Sequence, residues 1–149
     1  MTTTYDVAAF QTDPANTGVV PQELWSLTSG DGLLVTGIIK LCQRFLLELF
    51  TVKGSIPFDT DRGSSLLTFV RQGNIRNDID AYIYFQFAVQ EVKQYLQSQE
   101  LATDDPDEQF QTLTIDSVAF SYTAITYHVT LTSNAGSSRV VSVPLTTSP

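Results

Sequence analysis

The chain has 149 residues, 42% of them hydrophobic and 16% charged, with eight Lys and Arg against sixteen Asp and Glu and a net charge of −8. That length suits one domain with a real core, and eight dispersed cations exclude a general binder of nucleic acid or of an anionic membrane, which needs a basic patch. A single cysteine, Cys42, excludes an intramolecular disulfide and a multi-cysteine zinc site.

The charged fraction is well below the usual level of about 25%. Much of the surface is therefore left to Thr, Ser, Gln and Asn, a composition common in proteins that pack against other proteins. The start, Met1-Thr2-Thr3-Thr4-Tyr5-Asp6, has neither the basic region nor the apolar run of a signal peptide. Synthesis inside a cell is expected.

Residues 1–30 read as an extended N-terminal arm. Pro14, Pro21 and Gly18 interrupt any regular period. Phe10, Leu24 and Trp25 are too large and apolar for a disordered tract, so the arm is expected to dock on this protein or on a neighbour. Residues 31–149 read as one α+β domain. Ser29 or Asp31 is placed to cap a helix over residues 33–51. Its polar residues Thr36, Lys40, Arg44 and Glu48 recur at steps of four, and most of the remainder is apolar. Three charges in mid-span make membrane insertion costly. A helix apolar over most of its girth is buried on more than one side, so other subunits or most of this domain must wrap it. Arg44 and Glu48, one turn apart, are spaced to pair.

Gly54 ends that helix and Pro57 forces Ile56 away from helical dihedrals. The turn at Asp59-Thr60-Asp61-Arg62-Gly63 leads into a short helix over residues 65–70. A long amphipathic helix follows over residues 75–99. Its seam is Tyr82, Phe85, Val89, Val92 and Leu96, and Ile75, Ile79, Ile83 and Phe87 add breadth. Roughly 25 residues would span about 37 Å. Asp104-Asp105-Pro106-Asp107-Glu108 reads as a charged, solvated loop.

The period then changes to two. Leu113 and Ile115 alternate, and Val118, Phe120 and Tyr122 continue on the other phase. A slip at Asp116-Ser117 predicts a bulge or bend. Ile125, Tyr127, Val129 and Leu131 form the cleanest strand, with Thr126, His128, Thr130 and Thr132 on its other face. Ser133-Asn134-Ala135-Gly136 is a hairpin turn. Arg139, Val141, Val143 and Leu145 make a third strand, and Pro144 assigns it to an edge. Helices first and a small antiparallel three-stranded sheet last is an α+β arrangement.

Residues able to carry chemistry are sparse. Asp59 and Asp61 before Gly63 lack the further acidic ligands of a calcium loop and read as turn caps. His128 has no second histidine, and Cys42 lies in the apolar girth of a helix. No phosphate-binding glycine loop and no nucleophile elbow occurs. The acidic run at 104–108 offers no pair of carboxylates held in different environments. No catalytic residue, cofactor or metal is assigned, and no enzyme activity is expected.

An apolar helix thus runs into Thr51-Val52-Lys53-Gly54-Ser55, then Pro57, then Asp61-Arg62-Gly63-Ser64-Ser65-Leu66, then a long helix and a strand hairpin. This order resembles the small baseplate wedge, or sheath initiator, family of contractile phage tails and related injection systems, over residues 31–145. The family turn corresponds to Thr51, Lys53, Gly54 and Gly63. The sequence departs from the family where the long helix passes into the sheet. A Glu-Pro-Arg-like turn is common there, and this chain has Asp105-Pro106-Asp107-Glu108, so a contact made by that Arg does not carry over.

The resemblance implies a structural virion protein that joins the wedge helical bundle to the first sheath ring and templates sheath assembly by strand addition. It implies Ile38, Phe45, Leu49, Tyr82, Phe85 and Val89 at the bundle interface, and Val141, Val143 and Leu145 on the edge strand that pairs with sheath. The implied partners are other wedge subunits, the tail sheath protein, and tail tube or hub proteins, with six copies per tail. The implied place is the tail baseplate of the virion, after synthesis in the host cytoplasm. The alternative is another tail or neck connector, such as a tail terminator.

Overall fold

The computed structural model describes residues 36–147 and, before them, only the backbone of four short strands. These are β1 (Asp6–Val7), β2 (Phe10–Thr12), β3 (Val19–Pro21) and β4 (Leu34–Val35). β1 pairs with β4 and β2 with β3, both antiparallel. The expected docking of Leu24 and Trp25 and the caps Ser29 and Asp31 lie outside the described residues.

After the arm come α1 (Gly37–Phe50), α2 (Leu66–Arg71) and α3 (Asp78–Gln99). A single 3-10 turn at Pro106–Glu108 leads to β5 (Phe110–Phe120), β6 (Ala124–Ser133) and β7 (Ser138–Thr146). The sheet is antiparallel in the order β5-β6-β7. Helices followed by a three-stranded antiparallel sheet make the fold α+β.

α1 starts later than the apolar run suggested, because Leu34 and Val35 are spent on a strand and Thr36 is extended. Leu41, Cys42, Phe45, Leu46 and Leu49 are buried. This chain's own α3 and sheet wrap the helix, so of the two expected covers, other subunits or most of this domain, it is the domain that buries it. Phe45 stacks on Phe110 of β5 with centroids 6.1 Å apart.

α3 starts at Asp78 because Asn77 caps it, its side chain accepting from the Asp80 N–H at 2.8 Å. Asp78 and Asp80 lie where the helix dipole favours anions. Its buried side is Ala81, Phe85, Ala88, Val89, Val92 and Leu96. Alanines at 81 and 88 let the sheet approach closely. Phe85 stacks on Tyr127 at 4.0 Å, and the Tyr127 hydroxyl donates to the Ala81 carbonyl at 3.0 Å.

The sheet follows the alternation. Ile125, Tyr127, Val129, Leu131, Val141, Val143 and Leu145 face the helices and are buried. The slip at Asp116 is a bulge, where the β5–β6 register shifts between Ile115 and Ser117. β7 is an edge strand with Pro144 in it. The backbone of β3 passes near β7 without joining its ladder.

Candidate assembly interface

The turn between α1 and α2 is built on one close approach. Gly63 has φ +98°, and a Cβ there would sit 2.5 Å from the Thr51 carbonyl oxygen. Only glycine fits that space in that conformation. Ser64 N–H donates to the Thr51 carbonyl at 2.8 Å and Lys53 N–H to the Ser64 carbonyl at 3.0 Å. The Ser64 hydroxyl donates to the Leu49 carbonyl at 2.7 Å. The segments 51–55 and 61–66 therefore form one clamp. Gly54, with φ +79°, has open space around it, so its role is conformational.

Side chains from the helices hold the clamp. Glu91 of α3 accepts from Ser65 N–H at 2.7 Å, from the Ser65 hydroxyl at 3.0 Å and from Lys53 at 3.3 Å. Glu48 of α1 accepts from Arg62 at 2.8 Å, so it pairs across the turn rather than with Arg44. Tyr95 donates to Asp59 at 2.8 Å. Asp59 thus ties the loop to α3 and does not cap the turn. Burial first, then the Asp59 carboxylate, raises the Tyr95 phenol above its usual range.

The run at 104–108 is not a solvated loop. Asp104 accepts from Leu101 N–H, Asp105 from Asp107 N–H, and Asp107 from the Ser133 hydroxyl at 2.7 Å. Glu108 is buried and accepts from Lys40 at 3.0 Å, from the Thr36 hydroxyl at 3.1 Å and from Gly37 N–H at 3.4 Å. Burial pushes its carboxyl up, but Lys40, Thr36 and Gly37 outweigh that and hold it below the usual carboxylate range. Glu100 shows the opposite balance: burial raises it despite the Phe110 N–H bonded to it at 2.6 Å. The acidic turn therefore pins the start of α1 and the β6–β7 hairpin together. The available signal was Lys40, a cation in an apolar helix that required a buried partner.

The residues assigned to a bundle interface divide sharply. Phe45, Leu49, Phe85 and Val89 lie inside this chain's own core and present no surface to a partner. Ile38 is partly buried against that core. Tyr82 remains, 41% exposed, beside Ile79 at 70%, Ile83 at 55% and Phe87 at 54%. Ile83 and Phe87 lie on the side away from the sheet, since each residue turns about 100° from the last, while Ile79 and Tyr82 border β5 beside Ile115 and Val118. The face continues through exposed Gln86, Gln90, Gln94 and Gln97, with half-buried Lys93 among them. Phe69 of α2 packs on Phe87 at 5.8 Å and widens it. The exposed side of α3 was legible as apolar, but its direction was not. Ile79, Ile83 and Phe87 were assigned to breadth of the inward side.

Val141, Val143 and Leu145 turn their side chains into the core, so pairing at this strand runs through its backbone. Cys42 is buried, and burial pushes its thiol up to about 12. No group of three or more His, Cys, Asp or Glu that could hold a metal occurs among the described residues. No helix among them is long and apolar enough to cross a membrane. Comparison with protein-family models, with curated proteins and with solved structures finds no match for this chain.

Proposed function

We propose that this chain is a structural subunit of a contractile tail baseplate, which joins a helical wedge bundle to the first sheath ring. The observation that carries the reading is the outward face of α3. A chain whose own core is closed still exposes Ile79, Tyr82, Ile83 and Phe87 along one side of the helix, with half-buried Asp80 and Lys93 as the charges that border them. Such a stripe suits the side of another helix. The edge strand β7 supports the second half of the reading, since an unpaired edge is a template for strand addition. Other wedge subunits would cover α3 and the sheath protein would add strands to β7.

The test is the position of the subunit. An image of tail particles carrying a labelled copy should show six copies at the distal end, where sheath begins. Labels at the head end would replace the reading with a neck or terminator connector. Absence from particles would end both.

A further inference from the structure

The hydrogen-bond phase of the β6–β7 ladder says which backbone groups of β7 point away from β6. Ser133 N–H donates to the Ser137 carbonyl at 2.9 Å, and Thr147 N–H donates to the Thr123 carbonyl at 3.0 Å. Both pairs are in register with Thr132↔Ser138 and Ala124↔Thr146. In an antiparallel ladder, pairs that exchange bonds alternate with pairs that do not. The odd-numbered residues of β7 therefore bond β6, and Ser138, Val140, Ser142, Pro144 and Thr146 aim their backbone polar groups outward. Pro144 has no N–H to offer, which costs the β6–β7 ladder nothing and interrupts the free edge.

The continuous outward donors are thus Ser138, Val140 and Ser142. Beside them, Arg139 shares the inward side with Val141 and Val143. Its Nε is buried without an acceptor, and no carboxylate lies within ion-pair distance of it among the described residues.

We propose that β7 takes an extended segment of a partner chain over Ser138–Ser142 only, with an acidic residue of that segment opposite Arg139 and an apolar one beside Val141. The inference rests on the strand-addition half of the proposed function and narrows it to a register and a partner chemistry. Side chains facing each other across adjacent strands lie about 5 Å apart, so the acid would supply the acceptor that Arg139 Nε lacks among the described residues.

Two measurements on the full-length chain test this without any tail particle. In the free protein, the Ser138, Val140 and Ser142 amides should exchange with solvent at least a hundredfold faster than those of Val141 and Val143. Slow exchange at all five would mean that the arm already covers the edge, and would overturn the proposal. Random peptides selected on the immobilised chain should carry an Asp or Glu two positions from an apolar residue, so that both face the side of Arg139 and Val141. Val140→Pro, which removes an outward N–H and no internal bond, should weaken them at least tenfold. Arg139→Glu should turn the selected acid into Lys or Arg. Equal binding to Val140→Pro, or no selected peptide, would overturn it. Either failure leaves the position of the subunit in the tail to be decided by imaging, so the two readings fail separately.

Discussion

At the turn that follows α1 the buried carboxylates belong to the helices, and at the turn that follows α3 the buried carboxylate belongs to the loop. In the first, Glu48 and Glu91 reach out and cations of the loop cover them. Arg62 and Lys53 are each 41% exposed, over carboxylates 7% and 11% exposed. In the second, Glu108 reaches inward to Lys40, with exposures of 5% and 13%. An acid supplied by rigid helices keeps its packing whatever the loop does. An acid supplied by a loop must bring the loop with it. The second turn is therefore the more costly to disturb.

The largest effect should come from Glu108→Ala. Breaking a buried charge pair by removing one member costs about 3–5 kcal/mol. Lys40, Thr36 and Gly37 would each lose a bond to this carboxylate. Urea unfolding should show a loss of about 4 kcal/mol; a loss under about 1 kcal/mol would mean that the turn is not holding α1.

The same residue sets the acid side of the stability curve. The folded carboxyl sits below its ordinary value of 4.5, so its contribution is present above that value and is lost as pH falls through the folded one. Glu100 is raised by burial and acts the other way, its charged form opposing folding until it takes up a proton above 4.5. Stability of the wild-type chain against pH should therefore rise slightly as pH falls toward 4.5 and drop below it. Glu108→Gln should remove the drop, and Glu100→Gln should remove the rise.

Next in size is Gly63→Ala. A positive φ costs an L residue about 1–2 kcal/mol, and a Cβ 2.5 Å from the Thr51 carbonyl oxygen forces the clamp apart. Overpacking of that kind adds about 1–3 kcal/mol, so a total near 3 kcal/mol is expected by the same denaturation. Gly54→Ala, with open space around it, should cost only the first of these. Equal losses would sink the close-approach argument.

The difference between the two turns also explains what could be read in advance. The order and alternation of the sheet were legible, including the bulge at Asp116, because a period of two fixes which side of each strand is buried. The ends of β5 were not, since buried Phe110 begins it and Tyr122, expected on the same alternation, lies beyond it and is 92% exposed. Gly63 was legible as special because a glycine ahead of a helix with small residues behind it belongs to a tight turn. The bonds of Glu48, Glu91 and Glu108 were not legible. Their donors lie 14, 26 and about 70 positions away, and a charge in a sequence does not name its partner. On α3 the seam of Phe85, Val89, Val92 and Leu96 was legible, but Tyr82, Ile79, Ile83 and Phe87, expected on the same side, are exposed. Its apolar residues run nearly all round the helix, and packing chose the side that has Ala81 and Ala88. Ile79 and Ile83 were left outside.

The smallest effects separate the two cations of the first turn. Arg62→Ala leaves Glu48 buried with neither oxygen partnered, since Glu48 Oε2 already lacks a donor. An unsatisfied buried acceptor costs about 1–3 kcal/mol, and about 2 kcal/mol is expected. Lys53→Ala removes a pair of equal cation exposure from Glu91, yet Glu91 keeps both bonds from Ser65. The loss should then be only that of an exposed ion pair, below about 0.5 kcal/mol. If Lys53→Ala costs as much as Arg62→Ala, exposure of the cation decides the energy. If the two separate as expected, what decides it is whether the carboxylate beneath has another donor.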